Sequence, residues 1–408
     1  MRSELTIGIA VGALLTSGCA GSEEAEVTYS APDGWSAEVV VLTGDQVRGA
    51  PELTLTEEVR VGTLDGPEEL QHFRVSDAAI REDELWVLDG GDAEVRVYGL
   101  DGAYRRTLGR RGEGPGELQS PTRLTFRGDT VVLAGFARLT LFSTEGEVVG
   151  TGPGRLSTPL GTSTFIESAG PHWVRRRSPR RTEMPQFNVL ERDTSYLHAA
   201  DPMSEEFGPQ ILEYPTALRM LAGEIGFFLN PFFGARPFAV PGDDGHIYFT
   251  PQDEYRIDIL DAGTGAPVRR IVSTMALAPV TQEMIDVAWA REQERLKDPP
   301  PGSEAAMLAP VIGKRLELPV PEARPVVGAI EVAASGAFLI ERDDLDPDPN
   351  EPGDATTWDL FSSDGSLEGR FVLPPGTRVL RFTGDRVIAL ETDDLDVPYV
   401  VVYRMAIR

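Results

Sequence analysis

The chain has 408 residues, 41% of them hydrophobic, and a formal net charge of −27. That length is enough to bury a large core, while so negative a field repels a phosphate backbone and excludes nucleic acid as a partner. With 42 Gly, 32 Pro and a single Cys, the composition favours short strands joined by turns and leaves no disulfide to hold them.

At the start, Arg2 supplies a small positive region, residues 5–15 an apolar run too short to span a bilayer stably, and Leu15-Thr16-Ser17-Gly18-Cys19 a small-residue cleavage site. This arrangement resembles a bacterial lipoprotein signal, with Thr16 where a larger aliphatic is more usual and Glu4 diluting the charge. The resemblance implies that residues 1–18 are a signal peptide and that Cys19 is lipidated. The mature protein then sits in the cell envelope, outside the cytoplasm, held at the membrane by acyl chains alone. Ala20, in place of the aspartate associated with inner-membrane retention, implies the outer membrane in a didermous cell. Residues 19–52 read as a lipidated tether that ends in a peripheral strand over residues 37–42.

Beyond the tether one phrase is written twice, GTLDGPEELQHF from Gly62 and GRRGEGPGELQSP from Gly109, with the leading glycines 47 residues apart. Such a period belongs to stacked supersecondary units. Paired strand cores begin at Leu85, Val131, His172, His246, Phe338 and Val387, which makes six units; in the third the pair runs through HWVRRRSPRRTEMPQFNVL. The link residues Gly112, Gly114, Gly116, Glu117, Leu118 and Pro121, with Gly66, Glu69 and Leu70 in a weaker copy, resemble those of the NHL-repeat and related six-bladed β-propellers. The resemblance implies an all-β, six-bladed β-propeller over residues 53–408. Only an outer-strand sequence, LTLTEEVRV, precedes Gly62, and the last unit stops after its third strand, so the N-terminal strand is expected to complete the last blade and close the ring. Insertions at 202–235, which holds the run GFFLNPFFG, and 275–325, which holds a predicted helix over 281–297 with Met284, Ala288 and Leu296 on one side, are expected to pack over one rim.

Chemistry is written more faintly. Arg74, Arg123, Arg236, Arg324 and Arg378 stand at or just before the predicted inner strands, where they would form a positive funnel gripping a carboxylate or phosphate. Pairing with acidic neighbours such as Glu117 and Glu322 is the alternative. Asp344, Asp346, Asp348 and Asn350 alternate oxygen ligands as a calcium loop does, although prolines and a missing central glycine spoil the template; a solvated acidic loop, like ETDDLD at 391–396, is the alternative. The basic run RRRSPRR, residues 175–181, is expected on a loop of the third unit, and Phe227, Phe228, Phe232 and Phe233 either line a pocket or seat an insertion. Four histidines, His72, His172, His198 and His246, cannot readily supply a catalytic zinc site, which disfavours the amidating-lyase type of propeller. No Gly-x-Ser-x-Gly elbow, phosphate loop or His-Glu-x-x-His is present. Glu167 and Glu331 fall on inner strands, where a likeness to the sugar-lactonase propellers would make them catalytic carboxylates. The expected function is a monomeric, lipid-anchored binding or scaffolding module for an anionic small molecule, peptide or envelope protein. A calcium-dependent hydrolase or lactonase is the alternative.

Overall fold

The short apolar runs of this chain end in Gly and Asp, which turn the backbone back before a helix can form. The computed structural model describes residues 35–407, apart from 136–137, 155–156, 159–160, 180–185, 224–225 and 344–354. Six sheets share one plan, four strands each antiparallel to the next. The first holds Val75–Arg81, Glu84–Asp89, Glu94–Gly99 and Tyr104–Leu108, and the second holds Pro121–Arg127, Thr130–Gly135, Arg138–Ser143 and Val148–Pro153. In the third are Gly161–Ala169, His172–Pro179, Thr194–Ala200 and Phe207–Pro215, with the two-residue strand Ser157–Thr158 beside the first of them. Phe238–Pro241, His246–Thr250, Arg256–Asp261 and Pro267–Ser273 make the fourth; Val327–Val332, Phe338–Arg342, Thr356–Phe361 and Leu367–Leu373 make the fifth. The sixth combines Arg378–Phe382, Arg386–Thr392 and Pro398–Ile407 with Leu53–Val61 from the other end of the chain, Leu53 lying opposite Ile407 and Val61 opposite Val400.

Middle strands such as Glu84–Asp89, Thr130–Gly135 and His246–Thr250 bury residues on both faces because neighbouring sheets cover both sides. One apolar cluster joins the first and second sheets around Trp86, Leu124 and Phe142, and a smaller one joins the second and third around Val132, Leu139 and Trp173. Leu197, Ile247 and Phe249 join the third to the fourth. Between the fourth and fifth, Phe338 stacks on Phe361 at 4.9 Å with Tyr248 tilted against it at 5.1 Å. Leu53, Trp358 and Phe382 join the fifth to the sixth, and Val61, Tyr98 and Val402 join the sixth to the first. The first strands of the sheets also touch in sequence. That of the first sheet meets those of the second and sixth, that of the fourth meets those of the third and fifth, and that of the fifth meets that of the sixth.

The N-terminal segment runs along the outside of three sheets. Glu38–Leu42 lies parallel to Pro267–Ser273 as a fifth strand of the fourth sheet. Thr43 then caps the short helix Gly44–Arg48, accepting from the Gln46 backbone N–H at 3.2 Å while its own N–H donates to Gln46 Oε1 at 2.8 Å. Arg370 of the fifth sheet donates from Nη2 to the Val47 carbonyl at 3.0 Å and from its backbone to the Pro51 carbonyl at 2.7 Å.

Three expectations need correction. The third strand of the third sheet is Thr194–Ala200 and not the FNVL stretch: Phe187, Val189 and Leu190 are exposed, and Leu190–Glu191 instead joins Arg219–Ala222 and Phe227–Leu229 in a separate three-stranded sheet. Phe207–Pro215 is the outer strand of the third sheet, so the first insertion begins later than residue 202. The arginines at 175–177 belong to the strand His172–Pro179, not to a loop, because Arg175 is buried and Arg176 donates to the Ala239 carbonyl at 2.7 Å. In the second insertion the helix is Gln282–Arg295, capped by Thr281, followed by Glu304–Leu308. The two insertions pack on each other through Met220, Leu229, Leu296 and Ile312.

The link between the first and second sheets is a glycine-rich turn folded around one carboxylate. Glu117 Oε2 accepts from the Gly114 N–H at 2.8 Å, Arg110 Nε donates to its Oε1 at 2.9 Å, and these bonds hold the Glu117 pKa below the ordinary carboxylate value. Gly116 sits at φ +75°, and a Cβ there would lie 2.5 Å from Val148 Cγ2. Gly116→Ala is therefore expected to cost about 1–3 kcal/mol in urea unfolding, against less for Gly114→Ala, which needs no positive φ. Equal losses would contradict the backbone argument.

Candidate functional site

The site grows from irregularities in the first strands. Val75 lies opposite Asp89 but Asp77 opposite Leu88, which leaves Ser76 as an extra residue. Thr122 is extra in the same way between Pro121 and Arg123, and Leu380 between Val379 and Arg381. The ladders also slip between Ser163 and Ile166 and between Val327 and Ile330. A bulge bends its strand and re-aims the side chains that follow; here those are Asp77, Arg123 and Arg381.

Asp77 is buried and fully engaged. Its Oδ1 accepts from the Ala78 N–H at 2.9 Å, and its Oδ2 accepts from the Leu124 N–H at 2.8 Å and from Arg381 Nη2 at 2.9 Å. Arg381 donates further from Nε to the Ala78 carbonyl at 3.1 Å and from Nη2 to the Leu124 carbonyl at 2.8 Å, and its Nη1 lies 3.5 Å from Asp243 Oδ2. One guanidinium thus ties the first, second and sixth sheets to the first turn of the fourth. Burial opposes its charge, but Asp77, Asp243 and Glu331 outweigh that and hold its pKa above the ordinary value.

A cavity of about 290 Å³ lies against this cluster. Val132, Trp173, Phe238 and Val240 give it apolar walls, and Arg123, Glu167, Asp243 and Glu331 give it charge. A second cavity of about 590 Å³ shares Thr125, Ser168, Asp243 and Arg381 with the first and reaches Gly128, Gly170 and Thr383 at the turns that follow three of the first strands. Arg381 and Asp243 therefore border both spaces.

Glu331 is partly buried at the cavity wall, and desolvation pushes its pKa up to about 7 against the pull of Arg123 and Arg381, with Asp77 and Asp243 adding to the rise. From about pH 4.5 to about 7 the folded protein keeps a proton that the unfolded chain has released, so stability falls as pH rises through that window and stays lower above it. Glu331→Gln is expected to raise the unfolding free energy at pH 8.5 by at most about 3.5 kcal/mol, at ~1.4 kcal/mol per pKa unit, and to change little at pH 4. Urea titrations at the two pH values check this; equal effects at both would count against it.

Of the arginines picked out by position, Arg123 lines the cavity, and among the described residues its side chain has no hydrogen bond or ion pair. The other four do not line either cavity. Arg74 donates to the Gly90 carbonyl at 3.3 Å, Arg324 to the Asp343 carbonyl at 2.5 Å and Arg378 to the Val75 carbonyl at 3.5 Å, while the Arg236 backbone donates to Gln252 Oε1 at 2.6 Å. Glu167 and Glu331 share the cavity. Asp344, Asp346, Asp348, Asn350 and Cys19 lie outside the described residues. Among the described residues no group of three or more His, Cys, Asp or Glu is placed to hold a metal ion, and no helix is long and apolar enough to cross a membrane. Phe228 lies under Arg219 at 4.0 Å and Phe232 under Arg315 at 3.9 Å, so these aromatics serve the packing of the insertions. Asp77, Asp243 and Arg381 were not picked out from the sequence.

No family model and no curated protein matches the chain. Solved structures do. A putative exported protein from Bacteroides fragilis NCTC 9343 is 10% identical with a TM-score of 0.47, over 90% of this chain and 99% of that one. A member of the DUF4221 family from Bacteroides vulgatus ATCC 8482 is 10% identical with a TM-score of 0.46, over 88% of this chain and all 100% of the other. The β-propeller domain of Myceliophteria thermophila Cps50 (Swd1) is 10% identical with a TM-score of 0.37, over 86% and 100%.

Proposed function

We propose that the six sheets are the blades of a propeller of the NHL-like kind, closed by Leu53–Val61, exported and lipid-anchored through Cys19, and that it works as a binding module for an anionic ligand at its centre. The reading of six blades is supported by six apolar clusters between successive sheets, the last of which joins the sixth sheet to the first. The observation that carries the function is Arg123: an exposed guanidinium lining the cavity, without a hydrogen-bond or ion-pair partner among the described residues. A cation that lines a cavity and is not paired within the protein is available to grip a ligand's counter-charge. The ligand is a small anion, or the acidic group of a peptide or envelope partner.

Thermal unfolding with a panel of carboxylates, phosphonates and sulfonates tests this. Binding is expected to raise Tm for the native chain and not for Arg123→Glu; equal responses in the two proteins would remove the reading. A second reading, a calcium-dependent hydrolase or lactonase, is favoured by one observation, that Glu167 and a Glu331 with a pKa near 7 share the cavity, as an acid–base pair would. Lactone turnover that needs calcium and is lost in Glu331→Gln would establish it over simple binding.

A further inference from the structure

Charge around the cavity is unevenly spent. Arg381 already faces Asp77 at 2.9 Å and Asp243 at 3.5 Å, so its charge is answered within the protein. What remains on the walls is Arg123 from the second sheet, Glu167 from the third and Glu331 from the fifth. A dianion such as phosphate would meet Arg123 favourably and two carboxylates unfavourably. A monoanion with an apolar body meets one guanidinium, apolar walls from Val132, Trp173, Phe238 and Val240, and a carboxyl group that can carry a hydrogen. The groups acting on Glu331 are Arg123 and Arg381, which favour its ionised form, and Asp77 and Asp243, which disfavour it; burial prevails and holds it near pH 7. A second carboxylate brought beside it raises that value further, because two carboxylates at close range share one proton more readily than both ionise.

Resting on the anion-binding reading above, we infer that the cavity takes a small apolar carboxylic acid as its carboxylate together with one proton. Arg123 grips the carboxylate, and Glu331 in its acid form donates a hydrogen bond to it. The proton comes from solvent and stays on Glu331, so no bond is made or broken in the ligand. A cavity of about 290 Å³ has room for a phenyl- or short alkyl-carboxylate.

Isothermal titration calorimetry of the full chain with benzoate, phenylacetate and hexanoate, each run in imidazole and in Tris buffer at pH 7.5, tests the inference; phenylacetamide and phenylphosphonate are the comparison ligands. At least one carboxylate is expected to bind with net proton uptake, seen as a heat that differs between the buffers. Its Kd should rise nearly tenfold from pH 7.5 to 8.5. Phenylacetamide should bind at least tenfold more weakly than phenylacetate. Arg123→Gln should weaken binding by about 30-fold or more. Glu331→Gln, an isosteric change that keeps a donor, should still bind, without proton uptake and with a flat pH profile. Binding without proton uptake, a pH dependence retained in Glu331→Gln, or amide and acid binding alike overturns the inference. If phenylphosphonate binds through Arg123 and no carboxylate does, the inference falls while the anion site stands. If no anion binds, both fall.

Discussion

A chain shortened to begin at Gly62 is expected to lose its cooperative unfolding transition and to associate. Leu53, Val59 and Val61 are buried against the fifth and first sheets, and a fully buried side chain of this kind contributes about 1.5–3 kcal/mol. Three of them approach the whole stability of an ordinary domain, about 5–15 kcal/mol. Their loss also uncovers the backbone of Pro398–Ile407, a ten-residue edge ready to pair with another copy. Urea unfolding followed by circular dichroism, with light scattering for association, measures both effects. Addition of a peptide spanning residues 53–61 should restore part of the transition. A truncated protein that unfolds at the midpoint of the full chain would show that the strand contributes nothing to the stability of the sixth sheet.

Arg381→Met is expected to cost about 3–5 kcal/mol, because it leaves the buried Asp77 carboxylate without its counter-charge. Asp77 keeps the Ala78 and Leu124 N–H groups as donors, so Asp77→Asn in the same protein removes the stranded charge while preserving an acceptor. The double variant should recover most of the loss, giving a coupling energy of about 2 kcal/mol or more in a double-mutant cycle. Additive losses would mean that the pair does not act as a unit. Since Arg381 borders both cavities, Arg381→Met should also weaken any ligand that engages Arg123 by disturbing the Leu124 strand between them.

The repeat was legible because turn chemistry is local. Gly116 has to accept a positive φ and Glu117 has to reach the Gly114 N–H, and both demands are met within a dozen consecutive residues. The outer strand LTLTEEVRV was legible because it stands alone before the first link and pairs over its whole length with Pro398–Ile407. Arg381 was hidden for a physical reason. With a period of two, Arg378 and Arg381 fall on opposite faces, and nothing in RVLRF says that Leu380 is an extra residue that resets the alternation. Arg123 follows the same kind of bulge and was reached only through its position near the strand start. Asp243 sits in a turn, so no strand alternation points it anywhere. In the third sheet, FNVL looked more strand-like than TSYLHAA, yet the latter supplies the buried Leu197 while the former stays exposed. Partner elements decided the outcome there, as happens when β-propensity competes with burial.

The parallel strand Glu38–Leu42 has a mechanical corollary for a chain pulled by its leading end. Traction on that end reaches the outer edge of the fourth sheet first, where five paired residues and the Arg269–Glu38 contact at 2.8 Å resist it. Only after this grip yields does tension pass through Val47 and Pro51, each clasped by Arg370, to Leu53–Val61 in the sixth sheet. The segment behaves as a strain relief, taking up a pull before it can unzip Leu53–Val61 from Pro398–Ile407.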